Sequence, residues 1–150
     1  MADLNVKALM TVTHLVLPHM EKGGEIYNLG SLSSFQPVPY IGVYGATKAC
    51  VLSFSRALNV ELKAAGIRVM AVCPGWVKTD FFQRAVHDDT ITYYNRFYTP
   101  EQVVTRAIRD MARKKDVSIV GFPIRMQVLG VKLLPHRLVM KIWCRQQKKG

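Results

Sequence analysis

Residues 25–48 read EIYNLGSLSSFQPVPYIGVYGATK, and this stretch decides the fold of the chain. Its first part, Glu25 to Ser31, has the composition of a short β-strand. After the loop of residues 36–40, apolar residues recur at helical spacing and predict a helix from about Ile41 to Ala65, capped by Gly66. These apolar residues are Val51, Phe54, Leu58 and Leu62.

The segments on either side repeat the alternation of helix and strand. A helix is predicted over residues 3–20, and a strand over residues 67–73 ends where Pro74-Gly75 forces a turn. A helix capped by its Thr begins at 99 and runs to about 113, and a strand follows over 117–120. This order is typical of right-handed crossovers that build a parallel sheet with helices on both faces. The sequence therefore predicts an α/β fold.

Composition limits the function classes. The 150 residues are 49% hydrophobic, enough for one globular core, and they contain neither a long uncharged apolar run nor a signal-peptide pattern. We therefore expect a cytoplasmic protein. Cys50, Cys73 and Cys144 are widely spaced and predicted to be free thiols. The four histidines show no metal-ligand spacing, so no metal site is predicted.

The C-terminal segment, residues 124–150, mixes apolar and basic side chains. Most of the formal net charge of +11 lies in the last forty residues, since residues 111–150 hold ten Lys or Arg against Asp116 alone. Pro135 is expected to divide the segment into two helices. Two interpretations stay open: docking against the domain or a second subunit, and peripheral contact with an anionic membrane. Nucleic-acid binding is not expected, because no recognition motif or interleaved stacking aromatics occur.

Tyr44 and Lys48 stand four residues apart near the start of the long predicted helix. This spacing places both side chains on one face, where an ammonium lowers the pKa of a nearby phenol. An isolated pair of this kind is more often a surface Tyr beside a solvated Lys. Ser31, however, lies 13 residues earlier at the carboxyl end of a predicted parallel strand, where open α/β sheets gather active-site residues. The sequence therefore indicates a Ser-Tyr-Lys acid/base site.

These residues resemble the short-chain dehydrogenase/reductase family, whose hallmark is a strand ending in Ser followed by YxxxK. Residues 28–31 (NLGS) and 44–48 (YGATK) look like its two catalytic segments. Asn5 stands where the family keeps its catalytic asparagine, and residues 74–79 (PGWVKT) are similar to its nicotinamide loop. The loop at 36–40 and the basic tail most resemble the ketoacyl-reductase and hydroxysteroid-dehydrogenase branch.

The resemblance implies a role for each of these residues. Tyr44 would be the acid/base, Lys48 would lower its pKa and hold the nicotinamide ribose, Ser31 would orient the substrate oxygen, and Asn5 would support a proton-relay water. The residues expected to line the nicotinamide and its carboxamide are Pro74, Gly75, Val77 and Thr79. The implied cofactor is NAD or NADP, and the implied reaction is hydride transfer to or from an alcohol or ketone.

The family's glycine-rich TGxxxGxG turn and its NNAG segment do not occur in this sequence. We therefore expect a partial doubly wound, Rossmann-like sheet over residues 1–123, lacking the N-terminal βαβαβ half, followed by a tail over 124–150. Little or no turnover is expected from this chain by itself. The alternative is a non-catalytic module that forms homo-oligomers through the helices of Asn5 and Tyr44, which the family uses as a dimer interface.

A set of aromatic residues crowds the stretch between the Pro74-Gly75 turn and Thr99. These residues are Trp76, Phe81, Phe82, Tyr93, Tyr94, Phe97 and Tyr98. They are expected either to form an apolar substrate pocket or to pack as core against the following helix. The predicted substrate is accordingly bulky and apolar: acyl, steroid-like or aromatic.

Overall fold

A computed structural model of the chain describes residues 1–80 and 91–148. The elements of its first part are a π-helical turn (Asp3–Ala8), helix α1 (Leu9–Val16), a 3₁₀ turn (Leu17–His19), strand β1 (Glu25–Leu29), a second 3₁₀ turn (Leu32–Phe35) and helix α2 (Gly42–Glu61). Those that follow are strands β2 (Arg68–Val72), β3 (Trp76–Val77) and β4 (Phe97–Tyr98), helix α3 (Pro100–Ala112), strand β5 (Val117–Ser118), and helices α4 (Phe122–Leu133) and α5 (His136–Gln146).

The main sheet has the order β1-β2-β5, and both pairs of strands are parallel. Leu29 lies opposite Val72, and Ala71 lies opposite Val117, so the carboxyl ends of the strands meet at one edge. Strands β3 and β4 form a separate parallel pair, with Trp76 opposite Phe97. The predicted α/β fold with a parallel sheet is confirmed.

Strand β2 is buried on both faces, because side chains alternate along a strand. On one face, Ala71 and Cys73 pack in a cluster with Leu52 of α2. On the other, Met70 and Val72 pack in a cluster with residues of α3. The helices therefore cover both faces of the sheet, as expected, and β2 is its central strand.

Several element boundaries differ from the sequence-based expectations. The first predicted helix begins as a π-helical turn and ends in a 3₁₀ turn. Strand β1 ends at Leu29, two residues before the predicted Ser31, because Ser31 caps the following 3₁₀ turn. Strands β3 and β4 were not predicted, since two residues each are too few for a period-2 pattern.

The C-terminal segment forms two helices, α4 and α5, with Pro135 at their junction as predicted. Ile124 belongs to the same buried cluster as Met70, and Val139 is also buried. The Trp143 indole N–H donates to the Pro39 carbonyl at 3.1 Å. These contacts favour docking against the domain, and the division at residues 123 and 124 stays a prediction. Among residues 1–80 and 91–148, no helix combines the length and apolar character needed to cross a membrane.

Candidate active site

The predicted catalytic residues Ser31, Tyr44 and Lys48 come together at the carboxyl end of β1. The chain turns sharply there, because the Gly30 N–H donates to the Val72 carbonyl at 2.8 Å and holds the turn against β2. A Cβ on Gly30 would lie only 2.8 Å from the Cys73 sulfur, so the close approach requires glycine. This packing brings Ser31 under the first turns of α2.

Ser31 is the N-cap of the 3₁₀ turn and forms a reciprocal capping box with Ser34. The Ser33 N–H donates to the Ser31 hydroxyl oxygen at 3.2 Å, and the Ser31 N–H donates to the Ser34 hydroxyl oxygen at 3.2 Å. Burial raises the pKa of Tyr44, and a hydrogen bond between the Ser31 side chain and the Tyr44 phenol opposes that rise. Ser31 and Tyr44 can therefore meet at one substrate oxygen.

The Lys48 ammonium donates to the Leu29 carbonyl at 2.8 Å and lies 5.8 Å from the centroid of the Tyr44 ring. It therefore joins the end of β1 to α2 on the face that carries Tyr44. Burial lowers the pKa of Lys48 from its ordinary value, because the charged form loses hydration.

The net effect of this environment is to raise the pKa of Tyr44. Burial raises it, and the hydrogen bond to Ser31 opposes that effect. The sequence led us to expect a lowered pKa from Lys48, but the ammonium donates to the Leu29 carbonyl and burial dominates. Tyr44 is therefore a neutral phenol at neutral pH, the form that can donate a proton.

Cys73 lies beneath the site at the end of β2 and is fully buried. Burial raises the pKa of its thiol to about 11, although the neighbouring Ser31 backbone, Ser34 side chain and Lys48 charge oppose the rise. The thiol is therefore protonated at neutral pH and packs as a small apolar group. The three cysteines are free, as the sequence predicted.

Asn5 lies in the π-helical turn, a deviation from α-helix that often marks functional sites. Its side-chain amide donates to the Thr47 hydroxyl oxygen at 3.1 Å. The Thr47 hydroxyl in turn donates to the Tyr44 carbonyl at 2.8 Å. Asn5 is thus brought to the back of the helical turn that carries Tyr44.

The predicted nicotinamide loop lies beside the Ser31 turn. The Pro74 carbonyl accepts from the Leu32 N–H at 3.0 Å, and a Cβ on Gly75 would lie 3.2 Å from the Leu32 side chain. Val77 is half-buried in β3, and Thr79 is exposed just beyond it. All four loop residues therefore follow β2 on the same edge of the sheet as Ser31, Tyr44 and Lys48.

The aromatic residues after this loop pack on one another. The Trp76 and Tyr94 rings meet edge to face at 4.7 Å, and the Tyr94 and Phe97 rings lie 6.0 Å apart. Tyr98 belongs to the buried core, whereas Tyr93 is exposed. Phe81 and Phe82 lie outside the described residues. Tyr98 therefore meets the expectation of core packing, and an apolar substrate pocket formed by the other rings stays a prediction.

Two groups in the site region escaped the sequence analysis. Ser34 is buried between Ser31 and Lys48, and no pattern marks it because serine is common in turns. Asn28 and Ser55 are both buried and bonded to each other at 3.0 Å, tying β1 to α2. In the part of the chain that the structure describes, no three His, Cys, Asp or Glu side chains gather as a metal site would require.

Comparison with known proteins places this geometry in a family. Residues 1–90 match the family model for short chain dehydrogenases. Sulfoacetaldehyde reductase 2 of Chromohalobacter salexigens is 44% identical over 84 residues, which are 54% of this chain and 33% of the relative. A short-chain dehydrogenase from Sphingobium yanoikuyae, solved in complex with NADPH, is 31% identical with a TM-score of 0.69, over 93% of this chain and 54% of that one.

A bulky-bulky ketone specific alcohol dehydrogenase from Comamonas testosteroni is 29% identical with a TM-score of 0.62. The match covers 93% of this chain and 52% of that chain. The chain therefore spans about half the length of these solved structures. Because the family model matches residues 1–90 of 150, the chain belongs to the short chain dehydrogenase family.

Proposed function

We propose that the chain supplies the proton-transfer half of an NAD(P)-dependent oxidoreductase that interconverts an alcohol and a ketone. The observation that carries the proposal is the meeting of Ser31, Tyr44 and Lys48 at one sheet edge, with Ser31 bonded to the Tyr44 phenol. Two polar hydrogens can there reach one substrate oxygen, and a cation lies on the same side.

Each residue contributes a separate step. The Tyr44 phenol donates its proton to the carbonyl oxygen during reduction, and the Ser31 hydroxyl hydrogen-bonds the same oxygen. Lys48 lies on the same side of the site, with its ammonium bonded to the Leu29 carbonyl and 5.8 Å from the centroid of the Tyr44 ring. Asn5 positions the helix behind Tyr44 through Thr47.

The residues present fit the nicotinamide end of NAD or NADP. Lys48 is half-buried, and its ammonium uses one of its three N–H donors on the Leu29 carbonyl. Thr79 has an exposed hydroxyl just beyond β3. Lys48 would hold the ribose, and Pro74, Gly75, Val77 and Thr79 would line the ring and carboxamide. When bound, the nicotinamide supplies or accepts the hydride.

The proposed substrate is bulky and apolar. Trp76 of the nicotinamide loop packs against Tyr94, and Tyr94 packs against Phe97, which supports an aromatic lining on this side of the site. The similarity to an alcohol dehydrogenase named for bulky-bulky ketones supports this class.

Turnover is best measured in a chimera. This chain would replace the matching half of the Sphingobium yanoikuyae enzyme, whose remaining half would supply the other cofactor contacts. With NADPH and a panel of aryl and steroid-like ketones, the chimera is expected to oxidise the cofactor, which its near-ultraviolet absorbance reports. The 150-residue chain alone is expected to show little or no turnover. A folded chimera that binds NADPH but reduces no ketone contradicts the proposal.

A second candidate is an oligomerising module without activity of its own. Apolar side chains are exposed along the helices of Asn5 and Tyr44, with Leu15 62% and Val43 67% accessible. Strand β1 lies at the edge of the described sheet and exposes Leu29 as well. Such a surface is typical of one that pairs with another chain.

The oligomer prediction has a matched pair of variants. Leu15→Glu should shift the weight-average mass measured by light scattering toward the monomer, because it charges the proposed interface. Leu133→Glu, at a still more exposed position on α4, should leave the mass unchanged. Equal masses for all three proteins at every concentration would argue against pairing through this face. Peripheral membrane contact of residues 124–150 and a cytoplasmic location stay predictions.

A further inference from the structure

The buried hydroxyl of Ser34 connects the two catalytic segments. It accepts from the Ser31 N–H at 3.2 Å and donates to the Lys48 carbonyl at 2.8 Å. Ser34 is 8% exposed, so water does not compete freely for these bonds. One hydroxyl thus joins the turn that carries Ser31 to the turn of α2 that carries Lys48.

The bond to Lys48 is additional to the helix. A carbonyl within α2 already accepts an intrahelical N–H, so the Ser34 hydroxyl is not needed to satisfy it. The Ser31 N–H is in a different position, because it lies outside regular structure and uses Ser34 as an acceptor. The consequence of this geometry is a fixed distance between the Ser31 turn and α2.

A second tie crosses the same gap, where the Lys48 ammonium donates to the Leu29 carbonyl at 2.8 Å. Leu29 is two residues before Ser31, and the ammonium can rotate and exchange partners. The short Ser34 side chain has one rotatable bond before its oxygen, so it restricts the position of the Ser31 turn relative to α2 more than the long Lys48 side chain does. Loss of Ser34 would remove the more rigid of these two ties, while the packing of Phe35 against the buried cluster that includes Leu52 would remain.

We propose that Ser34 is a positioning residue, whose hydroxyl holds the Ser31 hydroxyl within reach of the Tyr44 phenol. The inference deepens the proposed function and rests on it for its catalytic meaning. The turn and α2 are separate elements joined by the loop at 36–40, and the Ser34 hydroxyl is bonded to both of them. Ser34 itself touches no reacting atom.

The test measures the titration of Tyr44 and does not require turnover. The chain is prepared with ¹³C at the ring carbon that bears the tyrosine hydroxyl, and the signal of Tyr44 is assigned by its loss in Tyr44→Phe. Ser34→Ala is expected to raise the pKa of Tyr44 by about half a unit or more, because a hydrogen bond that favours the phenolate is weakened. The other five tyrosines should titrate as in the unchanged chain.

Ser33→Ala is the matched control, since it removes the same atom from the same turn while its backbone N–H still donates to Ser31. Ser34→Cys keeps the size of the side chain with a weaker hydrogen-bonding group, and it should give a smaller shift. Circular dichroism would show whether Ser34→Ala folds. If it does not, Ser34→Cys is used in its place. Equal Tyr44 titrations in Ser34→Cys and Ser33→Ala would then overturn the proposal.

With folded variants, two results overturn the proposal. One is a Tyr44 titration in Ser34→Ala that matches Ser33→Ala, and the other is an equal shift of all tyrosines, which reports a general loosening. In the chimera, Ser34→Ala is expected to lower kcat with little change in KM. An inactive chimera with a shifted Tyr44 signal would instead count against the proposed function and leave the positioning of Ser31 standing.

Discussion

Replacing Tyr44 with phenylalanine is expected to lower the kcat of the chimera by a factor of about 10² to 10⁴, the range for losing a general acid. The change removes only the phenol oxygen, which hydrogen-bonds Ser31, and it keeps the ring beside Lys48. Folding and cofactor affinity should therefore change little. The measurement is initial rate against ketone concentration for both proteins.

Tyr27→Phe is the matched control for this substitution. Its phenol donates to Glu25 at 2.6 Å on the edge strand β1, away from the Ser31 turn. The chimera carrying Tyr27→Phe should keep its full rate. If Tyr44→Phe and Tyr27→Phe reduce the ketone equally well, Tyr44 is not the proton donor.

The pH dependence follows from the direction of the Tyr44 shift. Burial raises the pKa of Tyr44 above its ordinary value of 10.0, so the neutral phenol persists through neutral and mildly alkaline pH. Reduction should hold its rate there and fall only as pH rises through that raised pKa. A decline assigned to Tyr44 well below pH 10 would show that the residues of this chain do not set its pKa.

Gly121→Ala is expected to destabilise the chain by about 2 to 5 kcal/mol, combining backbone strain with overpacking. Gly121 has φ +83°, a conformation that side chains other than glycine rarely adopt. An added Cβ would also collide with the Tyr98 hydroxyl and lie 2.6 Å from the carbon that bears it. Because Tyr98 is in the buried core, neither partner can move freely.

Gly130→Ala is the control, because it makes the same substitution where an added Cβ has no neighbouring atoms. Gly130 lies inside α4, and a Cβ there meets nothing within 4 Å. Alanine is the better helix former, so this variant should gain about 0.5 to 1 kcal/mol. Denaturant unfolding followed by circular dichroism measures both. Similar midpoints for the two variants would show that the contact between Gly121 and Tyr98 does not constrain the fold.

Local patterns were enough to predict most of the architecture. Apolar residues recur at helical spacing along α2, and β2 is a run of residues that favour strands. The bounds of both elements were therefore predicted within a few residues. The capping residues at Thr99 and Pro100 likewise marked the start of α3. The short strands β3 and β4 could not be predicted, because their pairing depends on partners about twenty residues apart.

The site divides in the same way. Ser31, Tyr44 and Lys48 were found from spacing and position, since a helix puts i and i+4 on one face and parallel strands end at one edge. The sequence could not predict the hydrogen bond from Ser34 to Lys48 or the one from Asn5 to Thr47. Each of these bonds joins segments that are distant in the sequence.

By itself, the sequence determined the alternation of helices and strands, the parallel sheet and the proximity of Ser31, Tyr44 and Lys48, because all of these follow from periodicity and local chemistry. Only the tertiary structure decided the direction of the Tyr44 pKa. A lysine four residues away argues for a lowered value, but burial is a sum over every neighbouring group, and the Lys48 ammonium donates to Leu29. Solvent exclusion of that kind exists only once the chain has folded.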